Sequence, residues 1–147
     1  MGVLIYPCKI KERVGNLDDE KEFDEDVLRI DGDFIIEPFD GGYYTYESAK
    51  PQISSTYSEY GDFLSCLAEF GFCDFSITLG SCGTDNVASY KCAEIMLEEF
   101  EGHLSDAKKH IYKRFGKEYG EYIWWLYKEF IGVLKECIKL QGVVRFH

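Results

Sequence analysis

Apolar positions change their period several times along this chain, and each change predicts an element. Val3, Leu4, Ile5 and Tyr6 form a short apolar run that Pro7 stops, which suits a strand entering a core. VLRI and DFII flank Asp31 and Gly32, a dipeptide favouring a type I′ turn, so residues 27–37 are expected to form two short antiparallel strands. From Gly41 to Tyr57, glycine, proline and hydroxyl residues alternate with aromatics, which reads as a surface loop or irregular strand. Tyr57, Tyr60, Phe63, Leu64 and Leu67 then recur at three- and four-residue steps, the period of an amphipathic helix that Gly71 would end.

FCDFSITL, residues 72–79, reads as a strand closed by the small-residue run GSCGTDN. Thr84 or Asp85 is the natural N-cap of the helix that follows, with Cys92, Met96 and Phe100 on its apolar face and Glu94, Glu98, Glu99 and Glu101 on its wet side. A further helical region spans Ser105 to Leu140 and is expected to break near Gly116 or Gly120. Its stripe of Tyr119, Ile123, Leu126, Phe130, Leu134 and Ile138 makes it the longest buried helix, and Gly142 ends it. VVRF closes the chain as a strand able to pair with the first. This order does not alternate as a doubly wound sheet would. The expected fold is α+β: one domain over residues 1–147, with a mainly antiparallel sheet packed against about three helices.

Charge divides the chain into two poles. Residues 1–101 carry 22 Asp and Glu against 7 Lys and Arg, and residues 102–147 carry 5 against 9, so a net of −15 adjoins a net of +4. Seven acids fall in the nine residues DDEKEFDED at 18–26, a solvated loop or an acidic docking patch. The acidic remainder disfavours direct nucleic-acid binding. No stretch of eighteen apolar residues exists and the first residues lack a signal peptide's features, so the expected location is the cytoplasm, with no membrane partner. There the six cysteines are expected to be reduced, buried thiols. No CxxC pair and only three histidines argue against a metal site, and no cofactor is implied. His103 and His110 read as surface or capping residues.

Candidate chemistry is sparse. No nucleophile motif is present, and Asp31, Asp33, Asp40, Asp62 and Asp85 are general-base candidates that spacing does not distinguish. The string SCGTDN runs a glycine-rich turn into a helix start, where backbone N–H groups can meet an anion, but it lacks the lysine of a P-loop. Cys82 in that turn is where a thiolate could be stabilised. On a helix, Lys109, Lys113 and Lys117 would form one row with Lys108 and Arg114 beside it, able to draw a small phosphorylated ligand or an acidic partner.

Four stretches resemble a group of small phage and bacterial proteins. MGVLIY is similar to their glycine-aromatic first strand, and GVVRFH to their ending. TYSEYGDFLSCLA resembles their helix motif through Tyr57, Tyr60, Phe63, Leu67 and Ala68. SCGTDNVASYKCAEIMLEEF is similar to their Cys-Gly turn and the helix after it. Gly61 and Leu64 stand where that pattern has Asn and Arg, and the acids around its turn cysteine are missing, so a charged site built on those positions does not carry over. The resemblance brings a phage association and no activity.

Together these observations lead to an expectation of a non-catalytic binding protein, encoded by a phage or mobile element, that sequesters a small nucleotide-like immune signal as a homo-oligomer. Tyr43, Tyr44, Tyr57 and Tyr60 would stack a base, while Ser81, Cys82, Gly83 and Thr84 with Lys109 and Lys113 would hold phosphate. The alternative is an acidic interaction module, such as an immunity or inhibitor protein for a basic toxin. A nucleotide-processing enzyme resting on Asp85 or Cys82 is the third reading.

Overall fold

A computed structural model of the chain describes residues 2–24, 26–32, 36–72 and 86–147. Strand β1 (Gly2–Gly15) organises the sheet, because its two edges serve three partners. Residues 2–5 pair with β4 (Ile53–Thr56), and residues 8–15 pair with β3 (Gly42–Ser48) along the same edge. Residues 5–8 pair on the other edge with β6 (Val143–Phe146). Strand β2 (Val27–Ile30) adds to β3, and β5 (Asn86–Ser89) adds to β6. The curled antiparallel order is therefore β2-β3-β1-β6-β5, with β4 beside β1.

Pro7 does not stop β1, contrary to expectation. Its carbonyl accepts the N–H of Ala49 at 2.8 Å, so its nitrogen faces the same edge, where β3 has ended and β4 has not begun. The missing proline donor falls where no ladder bond is needed. The expected hairpin over residues 27–37 is also replaced. The partner of β2 is β3, and residues 36–38 form a turn in which Phe39 N–H reaches Ile36 O at 2.8 Å. Residues 33–35 of the second expected strand lie outside the described residues. The segment from Gly41, read as a surface loop or irregular strand, holds the strands β3 and β4. Its tyrosines alternate across the sheet, with Tyr44 buried and Tyr43 half-buried on opposite faces.

Alternation along the strands fills two cores. Val3, Ile5, Ile53, Ala88, Val144 and Phe146 face the helices. Tyr6, Cys8, Leu28, Ile30, Tyr44, Val87 and Val143 occupy the other face with Ile36. Helix α1 (Tyr57–Glu69) is expected from its period and is started by a capping box. The Thr56 side chain accepts the Glu59 N–H at 3.1 Å, and Glu59 accepts the Thr56 N–H at 3.2 Å.

Helix α2 (Tyr90–Gly102) buries Cys92, Met96 and Phe100 as their spacing predicts, but its N-cap is Ser89 rather than Thr84 or Asp85, because β5 comes first. Thr84, Asp85 and the expected strand at 73–79 lie outside the described residues. Helix α3 (Leu104–Leu140) breaks at Gly116, whose φ of 80° and ψ of −175° only glycine adopts readily. The break reverses the chain. The Lys108 ammonium lies 5.9 Å from the Trp124 ring, and Tyr112 packs on Gly120, whose added Cβ would stand 3.3 Å from the Tyr112 Cα. In a continuous helix Lys108 and Trp124 would be about 24 Å apart. The two arms thus pack side by side, and Phe63, Phe100, Phe130 and Tyr127 knit α1, α2 and the second arm. The Phe100 and Phe130 rings stack at 4.9 Å. Among the described residues, no helix is long and apolar enough to cross a membrane.

Candidate functional site

The curl of the sheet brings its two outer strands to one depression. Arg29 and Asp31 from β2 and the residue after it, with Asn86 and Val87 from β5, line a cleft of about 460 Å³. Arg29 Nη2 donates to Asp31 Oδ2 at 3.0 Å, and both side chains are about half exposed. In register across the strands, Arg29 stands opposite Tyr43, whose ring stacks on Phe23 with centroids 4.1 Å apart. Directly opposed residues share a face of the sheet, so Arg29 and Tyr43 project to the same side.

On the β5 side, Val87 stands opposite Arg145, and Arg145 opposite Tyr6. Arg145 Nη1 donates to the hydroxyls of Tyr6 at 3.1 Å and Tyr46 at 3.0 Å, with its guanidinium 5.8 Å from the centre of the Tyr46 ring. Burial pushes the Tyr6 hydroxyl up to about 12, with Arg145 opposing the shift. Tyr6 is therefore neutral at physiological pH and offers its oxygen lone pairs to Arg145.

The residues expected to bind a ligand are dispersed. Tyr43 is half-buried opposite Arg29 in register, and its stacking partner Phe23 lines a separate depression with Val27 and Thr45. Tyr44 is buried in the second core, where its hydroxyl donates to Asp40 O at 2.7 Å. Tyr60 is wholly buried among the helices with its ring 5.8 Å from Phe63, so neither ring offers a face to solvent. Tyr57 is exposed at the first turn of α1. Ser81, Cys82, Gly83 and Thr84 lie outside the described residues. Lys109 and Lys113 are exposed on the first arm of α3, and the break at Gly116 removes Lys117 from the expected continuous row.

The remaining basic residues of that arm are structural. Glu69, at the end of α1, meets His110 Nε2 at 3.0 Å and Arg114 Nη1 at 2.5 Å, while Arg114 Nη2 donates to Ser65 Oγ at 2.9 Å. His103 sits at the junction of α2 and α3, packed on Phe70 and Phe72. Cys8, Cys66, Cys92 and Cys137 are buried, and burial raises the Cys8 thiol to about 12 and the Cys66 thiol to about 11. The Cys8 and Cys66 thiols are therefore protonated and inert at neutral pH. Among the described residues, no three of His, Cys, Asp and Glu gather as a metal site requires.

Sequence reasoning missed Arg29, Asn86 and Arg145. Each is single in its segment, and only the strand order brings Arg29 and Asn86 to one cleft and Arg145 to Tyr6 and Tyr46. In comparisons with protein families, curated proteins and solved structures, the chain matches none.

Proposed function

We propose that the protein is a non-catalytic binding protein that sequesters a small nucleotide-like ligand in the cleft between β2 and β5. One observation carries this reading: a cleft of about 460 Å³ with Arg29, Asp31 and Asn86 on its walls, with Tyr43, stacked on Phe23, on the neighbouring strand opposite Arg29. Its volume is that of a small-ligand site, typically about 300–1,000 Å³. A guanidinium suits phosphate, a carboxylate and an amide suit the donor and acceptor edge of a base, and an aromatic ring suits its face. None of these needs a reacting group. The phage association of the proteins it resembles suits an immune signal as the sequestered species, and the sequestering role itself leads to the expectation of a homo-oligomer.

Native mass spectrometry with a panel of cyclic and linear nucleotides, followed by heat release, tests it. A retained nucleotide returned intact is the expected result, with Arg29→Ala and Tyr43→Ala each weakening binding about tenfold or more. Lys113→Ala should leave affinity unchanged. Equal binding by Arg29→Ala, or release of an altered nucleotide, rejects the reading.

A second reading is favoured by a separate observation. Among the described residues of the tract at 18–26, Asp18, Asp19, Glu20, Glu22, Asp24 and Asp26 are exposed, and none pairs with a cation. The loop is nonetheless held in place: Phe23 stacks on Tyr43, Asp19 Oδ2 accepts the Asn16 N–H at 2.8 Å, and Arg13 bonds Asn16 and Gly41 O. A pre-arranged anionic loop suits capture of a cationic protein surface. Neutralising it should slow association with such a partner sharply at low salt, and an unchanged rate rejects this role.

A further inference from the structure

We infer that the cleft between β2 and β5 selects guanine among the nucleobases, and that Asp31 makes the selection. This rests on the proposal that a nucleotide-like ligand is held there, and adds which base the ligand carries. Leu28 and Ile30 of β2 are buried in the second core, while Arg29 and Asp31, which alternate with them, line the cleft and are about half exposed. Among the described residues of the wall, Asp31 is the one carboxylate and Asn86 the one amide. Arg29 Nη2 donates to Asp31 Oδ2 at 3.0 Å, which restrains the orientation of the carboxylate. A carboxylate accepts about four hydrogen bonds and donates none. Arg29 takes one of them, and among the described residues no other donor reaches Asp31. The remaining capacity belongs to a ligand with N–H groups.

The bases differ in how many donors they place side by side. Guanine alone presents two adjacent N–H donors, at N1 and at the N2 amine, and these match the two oxygens of a carboxylate. Adenine sets the bare N1 nitrogen beside its N6 amine, and cytosine sets bare N3 beside its N4 amine. Uracil and thymine flank their single ring N–H with carbonyl oxygens. Each of these turns a lone pair towards the second carboxylate oxygen, which leaves two acceptors facing each other without a proton between them. On the guanine edge O6 follows N1, and the N–H donors of the Asn86 amide on the opposite strand suit that acceptor. Arg29 spends one of its five N–H donors on Asp31 and keeps others for phosphate. Its charge beside Asp31 also offsets the repulsion between that carboxylate and an anionic ligand.

Isothermal titration of the full chain and of Asp31→Asn tests this, with the linear and cyclic monophosphates of guanosine, adenosine, inosine and xanthosine as probes. The unsubstituted chain should bind the guanosine nucleotides about tenfold or more tighter than the adenosine ones. Inosine, which keeps the N1 donor but lacks the N2 amine, should fall between them. In Asp31→Asn the amide oxygen still accepts from Arg29 and from a base N1–H, while the amide nitrogen donates where a carboxylate oxygen accepted. That variant should lose about tenfold in guanosine affinity and bind xanthosine in its place, because xanthine carries a carbonyl at C2 instead of the amine. A variant that merely folded poorly would weaken all four bases together and would not exchange one preference for another. Equal affinity for guanosine and adenosine nucleotides, or a guanosine preference retained by Asp31→Asn, overturns the selection by Asp31 and leaves the cleft as a nucleotide site. Absence of binding by any of the probes overturns both.

Discussion

Cys8 and Cys66 sit where burial holds a thiol in its neutral form, and this sets the alkaline limit of the fold. Unfolded, both ionise near 9.0. Folded, burial raises them to about 12 and about 11, against the opposing charges of Arg145 and Arg114 respectively. Tyr6 moves the same way, from 10.0 to about 12. Above pH 9 the unfolded chain releases protons that the folded chain retains, so this stability is complete below about pH 9 and is lost as pH rises towards the folded values. The thermal midpoint should hold from pH 7 to 9 and fall steadily to pH 11. Cys66→Ala should flatten that fall, and a midpoint constant to pH 11 would refute the argument. Glycines give a second contrast at this scale. Gly116→Ala has room for its Cβ but the wrong φ, and should cost about 1–3 kcal/mol. Gly61→Ala, inside α1 with equal room, should gain about 0.5–1 kcal/mol. Urea unfolding that gives both changes the same sign would contradict this pair.

Helix α1 is the element most legible in the sequence, because its determinants are local. Tyr60, Phe63 and Leu67 repeat at helical spacing, and Thr56 and Glu59 close their capping box within four residues. Thr56→Ala should cost about 0.5–2 kcal/mol in urea unfolding, and Glu59→Gln much less, since an amide oxygen can still accept the Thr56 N–H. Equal losses in the two variants would mean that the box does not set this terminus. The start of α2 was not legible for the converse reason. Thr84, Asp85 and Ser89 are all competent caps, and Ser89 is selected only because Asn86–Ser89 is needed as a strand beside β6. Likewise composition leaves β3 open between a loop and an irregular strand, and it is a strand because β1 and β2 supply partners on both its edges.

At the scale of the whole molecule, charge works against the fold it surrounds. A net of −11 with six exposed tract carboxylates and no cation paired to them among the described residues implies self-repulsion. At concentrations low enough to keep the chain monomeric, its thermal midpoint should rise as salt is raised from about 0.01 to about 0.3 M, over which the screening length shortens several-fold. D18N/E20Q/E22Q/D24N should start higher at low salt and gain less. A midpoint insensitive to salt in both proteins would show that the tract is too solvated to matter.

The sequence by itself determined the helices of the second half, a break near Gly116 or Gly120, the closing strand against β1, the α+β class and the two charged poles. These follow from periodicity, backbone preference and net charge, which act over a few residues or do not depend on shape. Only the tertiary structure decided that Pro7 lies inside a strand, that Tyr44 and Tyr60 are core rings, and that Arg29 and Asn86 share a cleft. Each of these depends on which strand edges meet. That is settled by burying both faces of one curled sheet at once, a condition spread over the whole chain that no local stretch of residues contains.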